Sequence, residues 1–273
     1  MTTPPVALTI AGSDSGGAAG IQADLKTFAA LGVFGTCAIT AVTAQSSTEV
    51  RCVTALETEM VLAQIDAVLD DLPVAATKTG MLPTEAIIAA IGSRARAGRL
   101  PALVVDPVLV ASTGRRLLEA GAEAVYLEHL VPFATVVTPN LREAEVLLGT
   151  TIGSVHDQRE AAQELVARGA RWAVVKGGHA TVDAGDQAVD VVADAHTVGE
   201  LRAPRLASTN THGSGCTFAS AIAAGLACGL AVDDAIRRAK SYVHDAIERS
   251  ARWQLGAGHG PLDHFGWNTK ETP

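Results

Sequence analysis

Short apolar segments alternate with amphipathic ones along the first two thirds of the chain. Continuous runs rich in β-branched residues occur at residues 6–12, 36–43, 75–80, 103–108, 135–138 and 173–177. A strand that is covered on both faces of its sheet is apolar along its whole length, as these runs are. They therefore predict strands of a mainly parallel sheet with helices on both faces.

Helical periodicity separates the predicted strands. Ile21, Leu25 and Phe28 follow the spacing i, i+4, i+7, and residues 61–72 repeat that pattern. Further helices are predicted over residues 85–97 and from Asp157 onwards. The predicted N-caps are Thr58, Thr84 and Asp157, and the predicted ends are Gly98 and Gly169. Strand and helix alternate from the first residues to about position 180, which is typical of an α/β layered fold.

The pattern changes after residue 178. Residues 190–203 predict a short β-hairpin that would form a small β flap. Two long helices follow at residues 215–228 and 232–254. We find no linker rich in Pro, Gly or Ser, no low-complexity tract and no internal repeat. The sequence is therefore predicted to form a single domain over residues 1–273, although its length would also permit two.

Composition narrows the class of protein and its partners. Of the 273 residues 48% are hydrophobic and 18% charged, which predicts a sizeable core. The formal net charge is −8 and no dense basic block occurs, so nucleic acid is not an expected partner. No apolar run approaches 18 residues and no signal sequence is recognisable, so no membrane is expected. The four cysteines lie far apart without a C-x-x-C pair, and a reducing cytoplasm is the simplest compartment.

Polar clusters follow several predicted strands, where open parallel sheets bind ligands. A loop with four glycines at residues 12–20 leads into a helix that carries Asp24. The loop lacks the G-x-G-x-x-G and G-x-x-x-x-G-K-[ST] patterns, so neither a dinucleotide site nor a P-loop is predicted. A tight strand-to-helix turn is the alternative interpretation of this loop.

The segment at residues 210–217 predicts an anion-binding turn. Gly213 and Gly215 let the backbone approach a ligand closely, and the helix that begins here would direct free N–H groups and its positive end towards an anion. The alternative is a buried helix whose glycines permit close packing. That alternative leaves the polar Thr211, His212 and Ser214 in the same turn unexplained, so anion binding is preferred.

Two acidic residues and one lysine follow later strands. Asp106 and Glu143, which stands three residues after Asn140, supply the oxygen ligands that Mg²⁺ uses beside substrate phosphates. Lys176 would add a mobile positive charge for a phosphate oxygen. The alternatives are a turn residue before Pro107, a first-turn helix acid and a solvated lysine. Together with the anion-binding turn, these residues suggest metal-assisted phosphoryl transfer.

Taken in order, the motifs resemble the hydroxymethylpyrimidine/phosphomethylpyrimidine kinases of thiamin biosynthesis, in the ribokinase-like superfamily. The similarity covers nearly the whole chain and is carried by AGSDSGG at residues 11–17, AGIQADLK at 19–26, ITAVTAQ at 39–45, KTGML at 78–82, DPV at 106–108, TPNLREAE at 138–145, VKGGH at 175–179, NTHGSGCT at 210–217 and GHGPL at 258–262. The resemblance implies a three-layer α/β/α sandwich and phosphorylation of an aminopyrimidine alcohol, and of its monophosphate, by ATP with Mg²⁺. It also suggests, by analogy only, a homodimer.

The resemblance also implies roles for individual residues. The aminopyrimidine would lie against Gly12, Val42, Met81 and Val108, with Asp24 and Gln45 reading its nitrogens. ATP and its phosphates would be bound by Asn140, Lys176, Thr211, Gly213 and Gly215, and the metal by Asp106 and Glu143. The catalytic group would comprise Lys176, Gly213, Ser214, Gly215 and Cys216.

Cys216 stands where most of the superfamily has an aspartate. A thiol at a helix N-terminus is expected to have a lowered pKa, and it could then accept the proton of the substrate hydroxyl. Two differences from the family pattern are Ser112, where lysine is frequent, and Ala18, where glycine is expected. The first puts one cationic contact in question.

Two other functions fit the same motifs. A pyridoxal kinase of this branch would act on another small heteroaromatic alcohol. Steady-state rates on the aminopyrimidine alcohol and on pyridoxal would distinguish the two functions. A non-catalytic pyrimidine sensor could keep the fold, but it would have no need for Asp106, Gly213, Gly215 and Cys216.

Overall fold

A computed structural model describes residues 3–109, 122–178 and 184–267, and its nine named strands form one sheet. The order across the sheet is β3-β2-β1-β4-β5-β6-β7-β8-β9. The strands are β1 (Val6–Asp14), β2 (Phe34–Gln45), β3 (Val50–Ala55), β4 (Val74–Thr79), β5 (Val104–Val105), β6 (Val136–Val137), β7 (Trp172–Val175), β8 (Gln187–Asp194) and β9 (Val198–Pro204).

Six neighbouring strands run parallel to one another, in the order β2, β1, β4, β5, β6 and β7. The sheet is antiparallel only at its edges. All six correspond to apolar runs predicted from the sequence. β3 pairs antiparallel with β2 at one edge, and β8 and β9 extend the sheet beyond β7 at the other. The predicted hairpin is therefore present, but it continues the central sheet instead of forming a separate flap, because its backbone pairs with β7.

Eight helices of the described residues cover the sheet. They are α1 (Gly20–Ala30), α2 (Thr58–Asp71), α3 (Glu85–Arg96), α4 (Ala122–His129), α5 (Leu141–Leu148), α6 (Val155–Ala167), α7 (Ser214–Ala227) and α8 (Val232–Ser250). None of the helices in these ranges has the length and apolar character that a membrane span requires.

Successive residues of the central strands point into two separate cores, as both-face burial requires. Val105 and Val137 pack with α2 to α6, whereas their neighbours Val104 and Val136 pack with α1, α7 and α8. The predicted three-layer α/β/α sandwich is therefore confirmed, with five helices on one face and three on the other.

Three of the predicted helix starts can be compared with the structure. The Thr84 side chain caps α3 by accepting a hydrogen bond from Ile87 N at 3.3 Å, as predicted. Thr58 is the first helical residue of α2 rather than its N-cap. Asp157 is not an N-cap either: Ser154 caps α6, and the Asp157 carboxylate bonds back to Ser154 N at 2.9 Å.

Candidate active site

The loop after β1 is organised around the carboxylate of Asp14. Asp14 Oδ1 accepts a hydrogen bond from Gly16 N at 2.8 Å, and Oδ2 accepts from Ala18 N at 3.0 Å and Ala19 N at 2.8 Å. Burial opposes ionisation of Asp14, but hydrogen bonds from His212, Ala19 and Gly16 lower its pKa. The loop is therefore a fixed nest around one carboxylate, and Ala18 is part of it.

The turn that begins α7 packs directly on this loop. Gly213 has φ +83°, and a Cβ at this position would lie 1.8 Å from Ala18 O, so only glycine fits there. The other side of the turn is tied to the end of α8, because the Asn210 amide donates to Ser250 O at 2.6 Å. The predicted anion-binding turn is thus held from two sides at the start of a helix of 14 residues.

Asp106 and Lys176 meet directly in front of this turn. Lys176 Nζ donates to Asp106 Oδ1 at 3.0 Å, and Thr138 Oγ1 donates to the same oxygen at 3.2 Å. A Cβ on Gly215 would lie 3.2 Å from Lys176 Nζ and 4.0 Å from Asp106 Oδ2. The helix start, the lysine and the carboxylate therefore share one small volume.

Glu143 joins this group through Asn140. The two residues form a capping box at the start of α5, in which Asn140 N donates to Glu143 Oε2 at 2.8 Å and Glu143 N donates to Asn140 Oδ1 at 3.0 Å. Asn140 also forms a parallel bridge with Lys176. Burial and the negative charge of Asp106 raise the pKa of Glu143.

These carboxylates suit a weakly held magnesium ion. The described residues contain no group of three or more His, Cys, Asp or Glu side chains placed to hold a metal. Mg²⁺ keeps several waters and needs just one or two carboxylates beside substrate phosphates. Asp106 and Glu143 supply these two carboxylates. The Oδ2 atom of Asp106 lies near Gly215, 4.0 Å from where a Cβ on that residue would lie.

The expectation of a lowered thiol pKa at Cys216 is wrong. Burial raises the pKa of Cys216 to about 12, and the carboxylates of Asp24 and Asp106 add to the increase. The Lys78 ammonium and a hydrogen bond from the Gly20 backbone oppose it without overcoming it. In the free protein the side chain at this helix start is therefore a neutral thiol at neutral pH.

A fully buried ion pair lies beneath the site. Lys78 Nζ donates to Asp24 Oδ2 at 3.0 Å, and both side chains have no exposed surface. Asp24 Oδ2 also accepts from Thr9 Oγ1 at 2.6 Å, and Asp24 Oδ1 accepts from Ser220 Oγ at 2.6 Å. Both carboxylate oxygens are thus bonded to protein donors, which leaves Asp24 facing Lys78 rather than an open pocket.

The other residues expected to contact the pyrimidine lie near the ends of β1, β2, β4 and β5. Met81 is buried against Gly12, where an added Cβ would lie 2.2 Å from Met81 Cε. Val42 is 48% exposed, an unusual state for a valine of a central strand, and Val108 is half-buried. Gln45, at the end of β2, lies with its Nε2 3.1 Å from His212 Nε2.

The structure thus brings together Asp106, Lys176, Gly215 and the Asn140–Glu143 pair, and joins Gln45 to the α7 turn through His212. Thr211 is exposed, and its carbonyl accepts a hydrogen bond from Ser214 N at 3.1 Å. Ser112 and His179 lie outside the described residues. The sequence interpretation counted His212 only among the polar residues of the anion-binding turn, and it gave no role to Lys78, although Lys78 stands in a motif that it singled out.

A helix start that lies beside a lysine and an aspartate, at the ends of parallel strands, is the arrangement of a phosphotransferase. The phosphomethylpyrimidine kinase profile matches residues 14–263. A Streptomyces coelicolor hydroxymethylpyrimidine/phosphomethylpyrimidine kinase is 49% identical over 265 residues, which are 97% of this chain and 96% of that protein. The chain belongs to the phosphomethylpyrimidine kinase family, so the resemblance inferred from the motifs is confirmed and the protein is a kinase.

Two solved structures extend the comparison. An ADP complex of Bacillus subtilis pyridoxal kinase has a TM-score of 0.88 at 37% identity, covering 98% of this chain and 100% of that one. A phosphomethylpyrimidine kinase from Clostridium difficile 630 has a TM-score of 0.78 at 37% identity, covering 89% of this chain and 99% of that one. The structural similarity therefore includes both substrate types that the sequence left open.

Proposed function

We propose that the protein uses ATP to phosphorylate the hydroxymethyl group of 4-amino-5-hydroxymethyl-2-methylpyrimidine, and then the resulting monophosphate, in thiamin biosynthesis. The observation that carries this proposal is the position of Gly215, next to both Lys176 Nζ and Asp106 Oδ2. Family membership, and relatives that are named for this activity, support the choice of substrate.

The α7 turn would bind the phosphoryl group while it is transferred from ATP to the substrate hydroxyl. The N–H groups of the first helical turn have no carbonyl partners within the helix, so Gly213 and Gly215 can direct theirs to phosphate oxygens. Ser214 N donates to Thr211 O at 3.1 Å, so Ser214 would have to exchange that hydrogen bond for one to the phosphate. Lys176 would add its charge to the same oxygens. Because phosphoryl transfer is largely dissociative, positioning and charge stabilisation of this kind account for most of the catalysis.

Asp106 and Glu143 are the residues that would hold Mg²⁺, which when bound neutralises the charge of the nucleotide phosphates. Asn140 and Thr211 flank this region and would contact the nucleotide. The ADP complex of the Bacillus subtilis pyridoxal kinase supports a nucleotide site in a chain of this fold.

The pyrimidine would lie against Gly12, Val42, Met81 and Val108. Gln45 would read its polar edge, since an amide offers both a donor and an acceptor to a heteroaromatic ring. We assign Asp24 a supporting role, because both of its carboxylate oxygens accept hydrogen bonds from buried protein groups. It fixes Lys78 beneath the site.

Cys216 would face the substrate hydroxyl. With its pKa raised to about 12, the thiol is protonated before reaction, and it can accept the hydroxyl proton only after losing its own. In a dissociative reaction that proton is still largely on the alcohol when the phosphoryl group begins to move. Cys216 therefore contributes less than the turn and the metal.

The test is release of ADP from ATP and Mg²⁺ in the presence of the aminopyrimidine alcohol, with pyridoxal as the parallel substrate. We expect the aminopyrimidine to be converted to its monophosphate and then to its diphosphate. A higher kcat/KM on pyridoxal would instead support the second candidate function, which the similarity to the Bacillus subtilis pyridoxal kinase favours. Binding of the pyrimidine without ADP release would identify a sensor.

A further inference from the structure

A glutamine side chain replaces backbone pairing at the end of β7. Val175, opposite Val191, is the last residue of β7 that pairs with β8. In the same register Gly177 would lie opposite Val189. The Val189 carbonyl instead accepts a hydrogen bond from Gln158 Nε2 at 3.0 Å, and the same nitrogen donates to Val175 O at 2.6 Å. The backbone N–H of Gly177 therefore needs an acceptor other than the β8 backbone.

That acceptor is the carboxylate of Asp190. Gly177 N donates to Asp190 Oδ1 at 2.9 Å, and Lys240 Nζ of α8 donates to Asp190 Oδ2 at 2.8 Å. Asp190 is 4% exposed, so its charge is buried and requires such donors. Gly177 has no room for a side chain, because an added Cβ would lie 1.9 Å from Val189 O. The chain at Gly177 is thus fixed against β8 by a close backbone contact and a hydrogen bond to a charged group.

The residue held between these contacts is Lys176. Its own N–H donates to Pro139 O at 2.8 Å, and the N–H of the next peptide is the one that Asp190 accepts. A lysine carries its charge on a long flexible stem, so the position of the ammonium depends on where the backbone is held. The Lys176 ammonium reaches Asp106 Oδ1 at 3.0 Å, beside the α7 turn.

We propose that Asp190 is a positioning residue for Lys176: by accepting the hydrogen bond of Gly177 N, it directs the chain after β7 so that the Lys176 ammonium lies beside the α7 turn. The inference rests on the proposed function, in which Lys176 binds oxygens of the transferred phosphate. An ion pair that only tied α8 to β8 would use Lys240 alone, but Asp190 gives its second oxygen to Gly177. The acceptor oxygen, rather than the charge, is what the site requires from Asp190.

The experiment compares two double variants that both remove the buried ion pair. Asp190→Asn with Lys240→Met keeps an oxygen that accepts from Gly177 N. Asp190→Leu with Lys240→Met removes that oxygen and replaces the pair by apolar side chains of similar size, which proteins often tolerate. Should the leucine variant not fold, Asp190→Ala with Lys240→Met takes its place.

The first readout is the ratio of two dissociation constants, for ADP and for a non-hydrolysable ATP analogue, measured by calorimetry with Mg²⁺. The two nucleotides differ by the phosphate that Lys176 would bind. We expect the asparagine variant to keep the ratio of the starting protein. The leucine variant should lose at least about tenfold of its preference for the ATP analogue, the effect of one hydrogen bond to a charged group. Its kcat should fall as well, while its KM for the aminopyrimidine stays unchanged.

A Lys176→Met background separates positioning from a loss of structure. In that background the two double variants should have the same ratio, because no ammonium remains to be positioned. The matched control is Asp233→Ala with Arg237→Met, which removes an exposed ion pair from the same helix, α8, and should keep the ratio.

Three results would overturn the inference. They are a leucine variant with the ratio of the starting protein, a Lys176→Met variant with that same ratio, and a difference between the two double variants that persists in the Lys176→Met background. Absence of ADP release by the starting protein with the aminopyrimidine alcohol would overturn only the proposed function, because nucleotide binding still tests Asp190.

Discussion

Lys78 and Asp24 form an ion pair of 3.0 Å in which neither side chain reaches solvent. The two residues come from β4 and α1, and the pair lies between the sheet and α7, where Ser220 donates to Asp24 at 2.6 Å. Burial alone would lower the pKa of Lys78, but the negative charge of Asp24 reverses the effect and raises it. The lysine is therefore charged, and it needs Asp24 to remain so inside the protein.

Removing one member of this pair leaves the other as an unpaired buried charge. We expect Lys78→Met to lower the free energy of unfolding by about 3–5 kcal/mol, because the Asp24 carboxylate loses its counter-ion. Urea unfolding measures the loss. The exposed pair Arg51–Glu49 is the matched control, and Arg51→Met should cost less than about 1 kcal/mol.

The double variant Asp24→Asn with Lys78→Met distinguishes a supporting role from a substrate contact. The double loss should be smaller than the sum of the two single losses, since it leaves no unpaired charge. If Asp24→Asn instead kept full stability and raised only the KM for the pyrimidine, Asp24 would contact the substrate as the family resemblance implied.

The raised pKa of Cys216 predicts a slowly reacting thiol. The thiolate is the reactive form, and a pKa of about 12 leaves almost none of it at pH 7.5. Alkylation by iodoacetamide, followed by peptide mass mapping, should modify Cys216 at least about tenfold more slowly than the exposed Cys52. Rapid modification of Cys216 at this pH would instead mean a thiolate, and would restore its role as a ready-made base.

The central strands could be predicted from the sequence because burial on both faces leaves a continuous apolar signature. β3 could not, since most of its side chains are exposed and the backbone pairing with β2 determines its structure. α4 was missed as well, because Val125, Tyr126 and Leu127 are consecutive apolar residues without helical spacing. Local pattern thus identifies elements whose side chains are buried in a regular way.

In the site, too, features that depend on a local pattern could be predicted, and features that depend on residues distant in sequence could not. That the turn at residues 210–217 and the acid Asp106 lie together could be predicted, because glycines and polar residues that follow strands of a parallel sheet meet at one edge of that sheet. The direction of the Cys216 pKa could not, since the burial and the carboxylates that decide it come from α1 and β5, far away in sequence. The partners of Asp24 and Gln45 were missed for that reason too: Lys78 is 54 residues from Asp24, and His212 is 167 residues from Gln45.

The raised pKa of Glu143 predicts that magnesium dependence changes with pH. Burial and the charge of Asp106 raise this pKa to about 7, so at lower pH the carboxyl holds a proton that Mg²⁺ must displace. The concentration of Mg²⁺ for half-maximal rate should therefore rise by about tenfold from pH 8 to pH 6. ATP also takes up a proton in this range, so the comparison is with Glu143→Gln, which should need more Mg²⁺ and show a smaller slope. An equal slope in both proteins would contradict the assignment of Glu143.

A side chain at Gly215 should block the site without unfolding the protein. The Gly215 backbone is not in the left-handed region, but a Cβ would lie 3.2 Å from Lys176 Nζ, and the larger Val would occupy the space in front of the helix start. We expect Gly215→Val to lower kcat/KM at least about a hundredfold and to abolish ATP binding, measured by calorimetry with a non-hydrolysable analogue. Gly199→Val is the control, because no atom lies within 4 Å of its added Cβ and valine suits a strand. Gly199→Val should keep the kcat/KM and the ATP affinity of the starting protein. If Gly215→Val instead bound ATP with normal affinity, the phosphates would have to lie away from the α7 turn.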